Sequence, residues 1–286
     1  MQSRHYQSRH YIAIFLIFSL AMPILFGVTL KPAPMNSADK AFDVIDKLDN
    51  KKFAFLSFDL APNTQAENGP QSEVILEHLF RKRVPVILFS QLVFAEPFLR
   101  SIPEKVVKKL ENEFPGEKWE YAKDWITVGY RPGGDVFLQA LARSEKFSKD
   151  LGKDLFGRSV LDNPIFGKIK NLQDISFVFE VTGSMGAFAP YIQFFQTANY
   201  KPKLVHACTS ITAPESYIYL DSGQLQGLLE GAAGAAWYSY KLSQENKTRK
   251  PDSALITNTA LGIGHAVILI LILIGNLSFL FERKAK

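Results

Sequence analysis

Apolar positions follow two patterns along this 286-residue chain. At each end lies a long run free of Asp, Glu, Lys and Arg. One is Tyr11 to Leu30; the other is Ser253 to Phe281, which contains AVILILILI from Ala266 to Ile274. About 20 mostly apolar residues cross the hydrocarbon of a bilayer. Both runs reach that length and none between them does, so the pattern predicts a folded domain tethered by one transmembrane helix at each end. Between the runs, short β-rich stretches alternate with segments of helical period. Strands are expected at Phe53–Phe58, Val86–Phe89, Trp125–Val128, Ile175–Val181, Leu204–Cys208 and Tyr217–Leu220. Helices are expected at Ala41–Leu48, Gln71–Lys82, Pro103–Phe114 (with Pro at its start), Asp135–Ala142, through Tyr191 and Phe195, and from Ser222 to Leu242.

The expected strands are apolar on successive positions, which indicates burial on both faces. Strand and helix in alternation give a mostly parallel sheet with helices on both sides. The fold class is therefore α/β, a three-layer Rossmann-like architecture. The segment from Glu145 to Gln173, charged and rich in Gly, Pro and Asp, breaks the alternation. It is expected as a surface excursion, with an active-site lid as the alternative. In the last predicted helix, Gly223, Gly227, Gly231 and Ala235 recur every four residues. On a helix they would form a smooth interaction face on which another backbone can approach; burial against the domain's own sheet is expected, with a contact between subunits as the alternative.

Charge refines this picture. Five basic residues (Arg4, Arg9, Arg283, Lys284 and Lys286) lie in the tails against Glu282 alone. Subtracting them from 33 basic and 28 acidic residues leaves 28 against 27 for the rest. A nearly neutral domain lacks the footprint of a nucleic-acid binder. The tails suit the anionic cytoplasmic face of a membrane, and a basic start before an apolar run reads as a signal-anchor. The expected organisation is a cytoplasmic tail at 1–10, a transmembrane signal-anchor at 11–30, an extracytoplasmic domain at 31–252, a second transmembrane helix at 253–281 and a cytoplasmic tail at 282–286. Cleavage near Pro23–Met35 is the rival to anchoring. The single cysteine, Cys208, excludes an intrachain disulfide and zinc sites built on two or more cysteines.

Ligands of open α/β sheets bind at the carboxyl ends of the strands, so the loops there hold the candidate ligand-binding residues. These are Asp59, Asn63 and Glu67 after the first strand, Ser90 after the second, Arg131 after the third, Glu180, Thr182, Gly183 and Ser184 at the fourth, and Thr209 after the fifth. The stretch VTGSMG offers sharp glycine turns and backbone N–H groups to an anion, yet fits neither GxGxxG nor GxxxxGK[ST]. A tight turn capped by Ser184 is the plainer reading. Asp59, Glu67 and Glu180 are oxygen donors for a divalent cation, but their spacing forms no ligand signature and no metal site is predicted. His78 falls on a helix and His206 within a strand, away from the loops, so no Ser-His-Asp triad is expected. No catalytic residue and no cofactor is assigned. The expectation is a membrane-anchored ligand-binding or protein-assembly module. Its partners are the lipid bilayer and a membrane protein or a second copy. The alternative is a membrane-bound hydrolase or transferase using the strand-end carboxylates.

Overall fold

The computed structural model describes the backbone of residues 2–196 and 200–284, and the side chains of 10–196 and 200–277. It divides into two compact units, Met1–Pro32 with Lys250–Lys286, and Ala33–Arg249.

In the first unit, α1 (Gln2–Phe26) packs against α10 (Ser253–Lys284). The approach is close at Gly264, where a Cβ would fall 2.5 Å from Leu20. The Leu30 N–H donates to Thr259 Oγ1 (2.9 Å). Ile14, Ile17, Leu25, Leu269 and Leu273 remain exposed on this pair. Among the described residues, Ser253–Leu277 makes a helix long and apolar enough to cross a membrane, and His10–Phe26 is a shorter apolar helix. α1 ends at Gly27. With φ of +63° it stops α1, and the Val28 N–H donates back to the Pro23 carbonyl (3.1 Å), a Schellman-type end. Residues 27–30 therefore do not lengthen the helix as the sequence reading expected.

The second unit is α/β. In chain order it contains α2 (Asn36–Asp46), β1 (Phe53–Asp59), α3 (Gln65–Arg81), β2 (Val86–Ser90), α4 (Glu96–Glu113), β3 (Trp125–Tyr130), α5 (Asp135–Ala142) and α6 (Phe147–Asp150). There follow β4 (Ile175–Thr182), α7 (Ala189–Phe195), β5 (Lys203–Cys208), α8 (Ala213–Asp221), β6 (Gly227–Glu230) and α9 (Gly231–Glu245). All six strands are parallel, in the order β3-β2-β1-β4-β5-β6. The order reverses direction between β1 and β4, which creates the switch point of a Rossmann-like sheet.

Side-chain parity sorts the core. Phe55, Ile87, Phe89, Val128, Val178 and Leu204 face one layer, with Leu138 and Leu141 of α5, Tyr191 and Phe195 of α7, and Leu220 of α8. α2, α3, α4 and α9 cover the other face. The 145–173 segment is not a surface excursion. Phe147, Leu151, Val160, Phe166 and Ile169 are fully buried in the first layer. Burying an aliphatic or aromatic side chain contributes about 1.5–3 kcal/mol each, which outweighs the segment's polar composition. The Leu155 N–H also donates to the Thr127 carbonyl (2.9 Å), protecting the open edge of β3.

Several expected elements differ. α3 and α4 begin earlier than expected, at Gln65 and Glu96, so Pro103 lies inside α4 rather than at its start. Tyr217–Leu220 is helical within α8, because Pro214 opens a helix there. The sixth strand is instead Gly227–Glu230. The glycine row consequently does not share a helix face. Gly223 is a turn residue at φ +74°, Gly227 is in β6, Gly231 starts α9 at φ +55°, and Ala235 is buried within α9. Gly227 has a different use. A Cβ there would lie 2.4 Å from Ala41 Cα and 2.5 Å from its N, so α2 rests directly on the β6 backbone.

The unit is closed by Arg249, its last residue. Its guanidinium meets both oxygens of Glu77 (2.8 and 2.9 Å) and donates to Ser239 and Ser243 of α9. Burial pushes the Glu77 carboxyl up, but Arg249, Lys109 and Arg81 outweigh it and hold the group down at about 2.

Candidate functional site

The carboxyl ends of the strands converge on one edge, and the switch point lies between the β1 and β4 loops. The two loops touch: a Cβ on Gly183 would fall 2.3 Å from Thr64 Cγ2 and 3.2 Å from Thr209 Cγ2. Only a glycine fits there.

The polar groups of this edge are engaged with one another. Asp59, at the end of β1, is buried. It accepts hydrogen bonds from Ser90 Oγ (2.8 Å), the Gln91 N–H (2.7 Å) and Ser57 Oγ (3.0 Å). Burial raises its pKa while these bonds oppose the rise. Glu67 accepts from the Ser210 N–H (2.9 Å) and hydroxyl (2.7 Å). Arg131 donates to the carbonyls of Tyr130, Leu151 and Lys153, fastening the 145–173 segment. Thr182 Oγ1 accepts from the Ser184 N–H (3.1 Å), and buried Thr209 bonds Thr212 (3.1 Å). Asn63 and Ser184 are exposed. The N–H of Gly186 donates to Glu215 (3.0 Å), so a carboxylate of the chain itself takes the place proposed for an external anion. The turn 183–188 leads into α7, which is only seven residues long. Asp59, Glu67 and Glu180 each have separate partners and form no shared ligand set.

One pair emerges that reading each strand alone could not reveal. Glu180 on β4 and His206 on β5 are register partners. His206 Nδ1 lies 2.6 Å from Glu180 Oε2 and both are essentially inaccessible. Burial acts to lower the His206 pKa, but the Glu180 carboxylate more than reverses this and raises it. Burial likewise raises Glu180, with His206 opposing. The Phe188 ring stacks on His206, with centroids 4.3 Å apart. Tyr191 lies fully buried in the same layer; among the described residues neither its hydroxyl nor either Glu180 carboxylate oxygen makes a hydrogen bond, while His206 Nδ1 also meets the Glu180 carbonyl (3.1 Å). The usable signal was positional. Glu180 and His206 each stand two residues before the end of neighbouring strands, and residues two apart share a face. On the opposite face, Gln71 donates to the carbonyls of Cys208, Leu229 and Gly231 (2.8–3.1 Å), tying β5 to β6.

Beside exposed polar residues such as Asn63 and Ser184, the edge presents apolar side chains outward. Val93 and Phe94 follow β2, Val136 follows β3, Met185 follows β4 and Ile211 follows β5. All are exposed, Met185 at 73% and Ile211 at 85%. An exposed aliphatic residue alone is ordinary; here four of the connections at one edge each carry at least one.

Away from this edge, Asp46, His78 and Glu245 bring ligand atoms within 4.8 Å of one another. Lys82 already pairs with Asp46 (3.1 Å), and His78 Nδ1 is hydrogen-bonded with the Tyr238 hydroxyl (2.7 Å). Burial lowers the His78 pKa to about 3.

The fold and this edge define the class as a Rossmann-like parallel α/β domain joined to a helix long enough to cross a membrane. Comparison with family models, with curated proteins and with solved structures finds no match to this chain.

Proposed function

We propose that the chain is a membrane-anchored module that binds through the carboxyl edge of its sheet. The observation that carries this reading is the contrast at that edge. Asp59, Glu67, Ser90, Arg131 and Glu180 are all held by groups of the chain itself. Val93, Phe94, Val136, Met185 and Ile211 project outward. Such an edge offers little to a reacting substrate and a good deal to an apolar surface, which favours binding or assembly over the enzyme alternative.

In this reading both apolar helices span the bilayer, with the basic tails in the cytoplasm and the α/β domain outside it. Support comes from the packing of α1 on α10 at Gly264 and Leu20. The 17 residues of His10–Phe26 also lie at the short end of the roughly 17–25 residues that cross hydrocarbon.

The test is accessibility in native membranes. Single cysteines replace Met185, Ile211 and, as a control on the loop before β3, exposed Lys118, in a Cys208→Ser background. A docked edge makes M185C and I211C react with a water-soluble maleimide far more slowly than K118C. Equal rates at all three positions would sink the proposal.

A further inference from the structure

The geometry points to lipid as the partner of the carboxyl edge: we propose that the tips carrying Val93, Phe94, Val136, Met185 and Ile211 insert into the surface of an electrically neutral bilayer. The inference rests on the binding role of that edge and names what it binds.

The shape of the edge suits insertion. In an all-parallel sheet every strand delivers its following loop to the same edge. Of the five connections there, four carry exposed apolar residues, namely Val93 and Phe94, Val136 in the first turn of α5, Met185, and Ile211, while the one after β1 exposes Asn63. The apolar residues are separated by polar and glycine positions. They form a set of isolated prongs rather than one continuous groove of the kind that receives a helix.

The charge of the edge suits a neutral surface. The ionised side chains on or beside these tips are mostly acidic: Glu96, Asp135 and Glu215. The cation among them, Arg131, is turned onto backbone carbonyls of the 145–173 segment. A surface adapted to anionic lipid would display free Lys and Arg. This one would be repelled by anionic headgroups, so attraction must come from apolar burial, at about 25 cal/mol per Å2.

The chain's route also suits insertion. The start of α2 lies at the same edge, because Ser37 Oγ donates to Glu230 (2.6 Å), the last residue of β6. Nine residues, 27–35, separate α1 from α2. A linker this short keeps the edge within reach of the surface that holds α1. The other connection is compatible. α10 has 32 residues, about 48 Å of helix against about 30 Å of hydrocarbon, so its first turns can stand clear of the lipid.

The test uses the full chain in nanodiscs of phosphatidylcholine alone. Single cysteines at Phe94, Met185, Ile211 and Lys118, again with Cys208→Ser, carry a small fluorophore. Insertion predicts quenching at 94, 185 and 211 by spin-labelled lipid and shielding there from aqueous iodide, with the reverse at 118. Exchange into phosphatidylserine discs should reduce the lipid quenching, and Phe94→Glu with Ile211→Glu should abolish it at 185. If the three tips are open to iodide in pure lipid discs yet protected in native membranes, the partner is a protein: the lipid proposal is overturned and the binding role of the edge stands. If they are open in both, both proposals fall.

Discussion

Glu180 and His206 sit side by side on β4 and β5, beneath the Phe188 ring and without access to solvent. Taking two charges out of water is expensive, and removing one partner leaves the other uncompensated. Glu180→Ala should therefore cost about 3–5 kcal/mol, read from the urea midpoint. The pair also carries a pH signature. The folded-state pKa of His206 is raised to about 10: burial would lower it and Glu180 more than offsets that. A raised pKa means the folded state holds the proton more tightly. The contribution is then complete below the ordinary histidine value of about 6.5 and is lost as pH rises through about 10. Relative to a Glu180→Gln/His206→Gln variant, the native chain should lose its stability advantage on passing from neutral to alkaline pH. A gap independent of pH would show that the pair is not ionised. At this scale the sequence located most strand-end polar residues but not their bonds. Asp59, Ser90 and Thr209 follow from knowing where strands stop. The pairing of His206 with Glu180 requires the register between two strands 26 positions apart, and no local pattern encodes that.

Elements were legible where one signal dominated. β1 to β5 announced themselves as apolar runs, and α5 occupies the expected Asp135–Ala142. The failures occurred where tertiary contact decides. GLLE is four residues long and begins with Gly227, so it resembles neither a strand nor a break in the helical pattern around it. It becomes a strand because β5 pairs with it and α2 lies on it. The 145–173 segment looks polar overall, yet its few apolar residues are spaced to reach the core. The glycines offer a direct test. Gly227→Ala drives a Cβ into the backbone of Ala41, where overpacking typically costs about 1–3 kcal/mol and neither chain can yield independently. Gly223→Ala meets nothing within 4 Å and has only its φ of +74° against it, a cost of about 1–2 kcal/mol for a left-handed conformation. Thermal denaturation should rank Gly227→Ala as the more damaging. If Gly227→Ala left stability intact and instead altered self-association, the contact between α2 and β6 would be wrong and an outward-facing glycine row would regain its place.

For the whole molecule the decisive quantity is how firmly each apolar helix is held by lipid. α10 has the length and hydropathy to cross by itself. α1 ends at Gly27, has His10–Phe26 as its described apolar stretch, packs on α10 and presents Ile14, Ile17 and Leu25 outward. If both span, the full chain stays in the membrane pellet after alkaline carbonate. A chain lacking residues 1–32 also stays there through α10, and one lacking 250–286 is held by α1 alone and is released more readily. Sidedness then follows from the basic tails. In sealed cells an impermeant maleimide should label Lys118→Cys, in the α/β domain, while Ser3→Cys reacts only after the membrane is opened. Labelling of Ser3→Cys in intact cells with Lys118→Cys protected would invert the orientation. Labelling of both in intact cells would leave α10 as the single span, with the two ends of the chain on opposite faces of the bilayer.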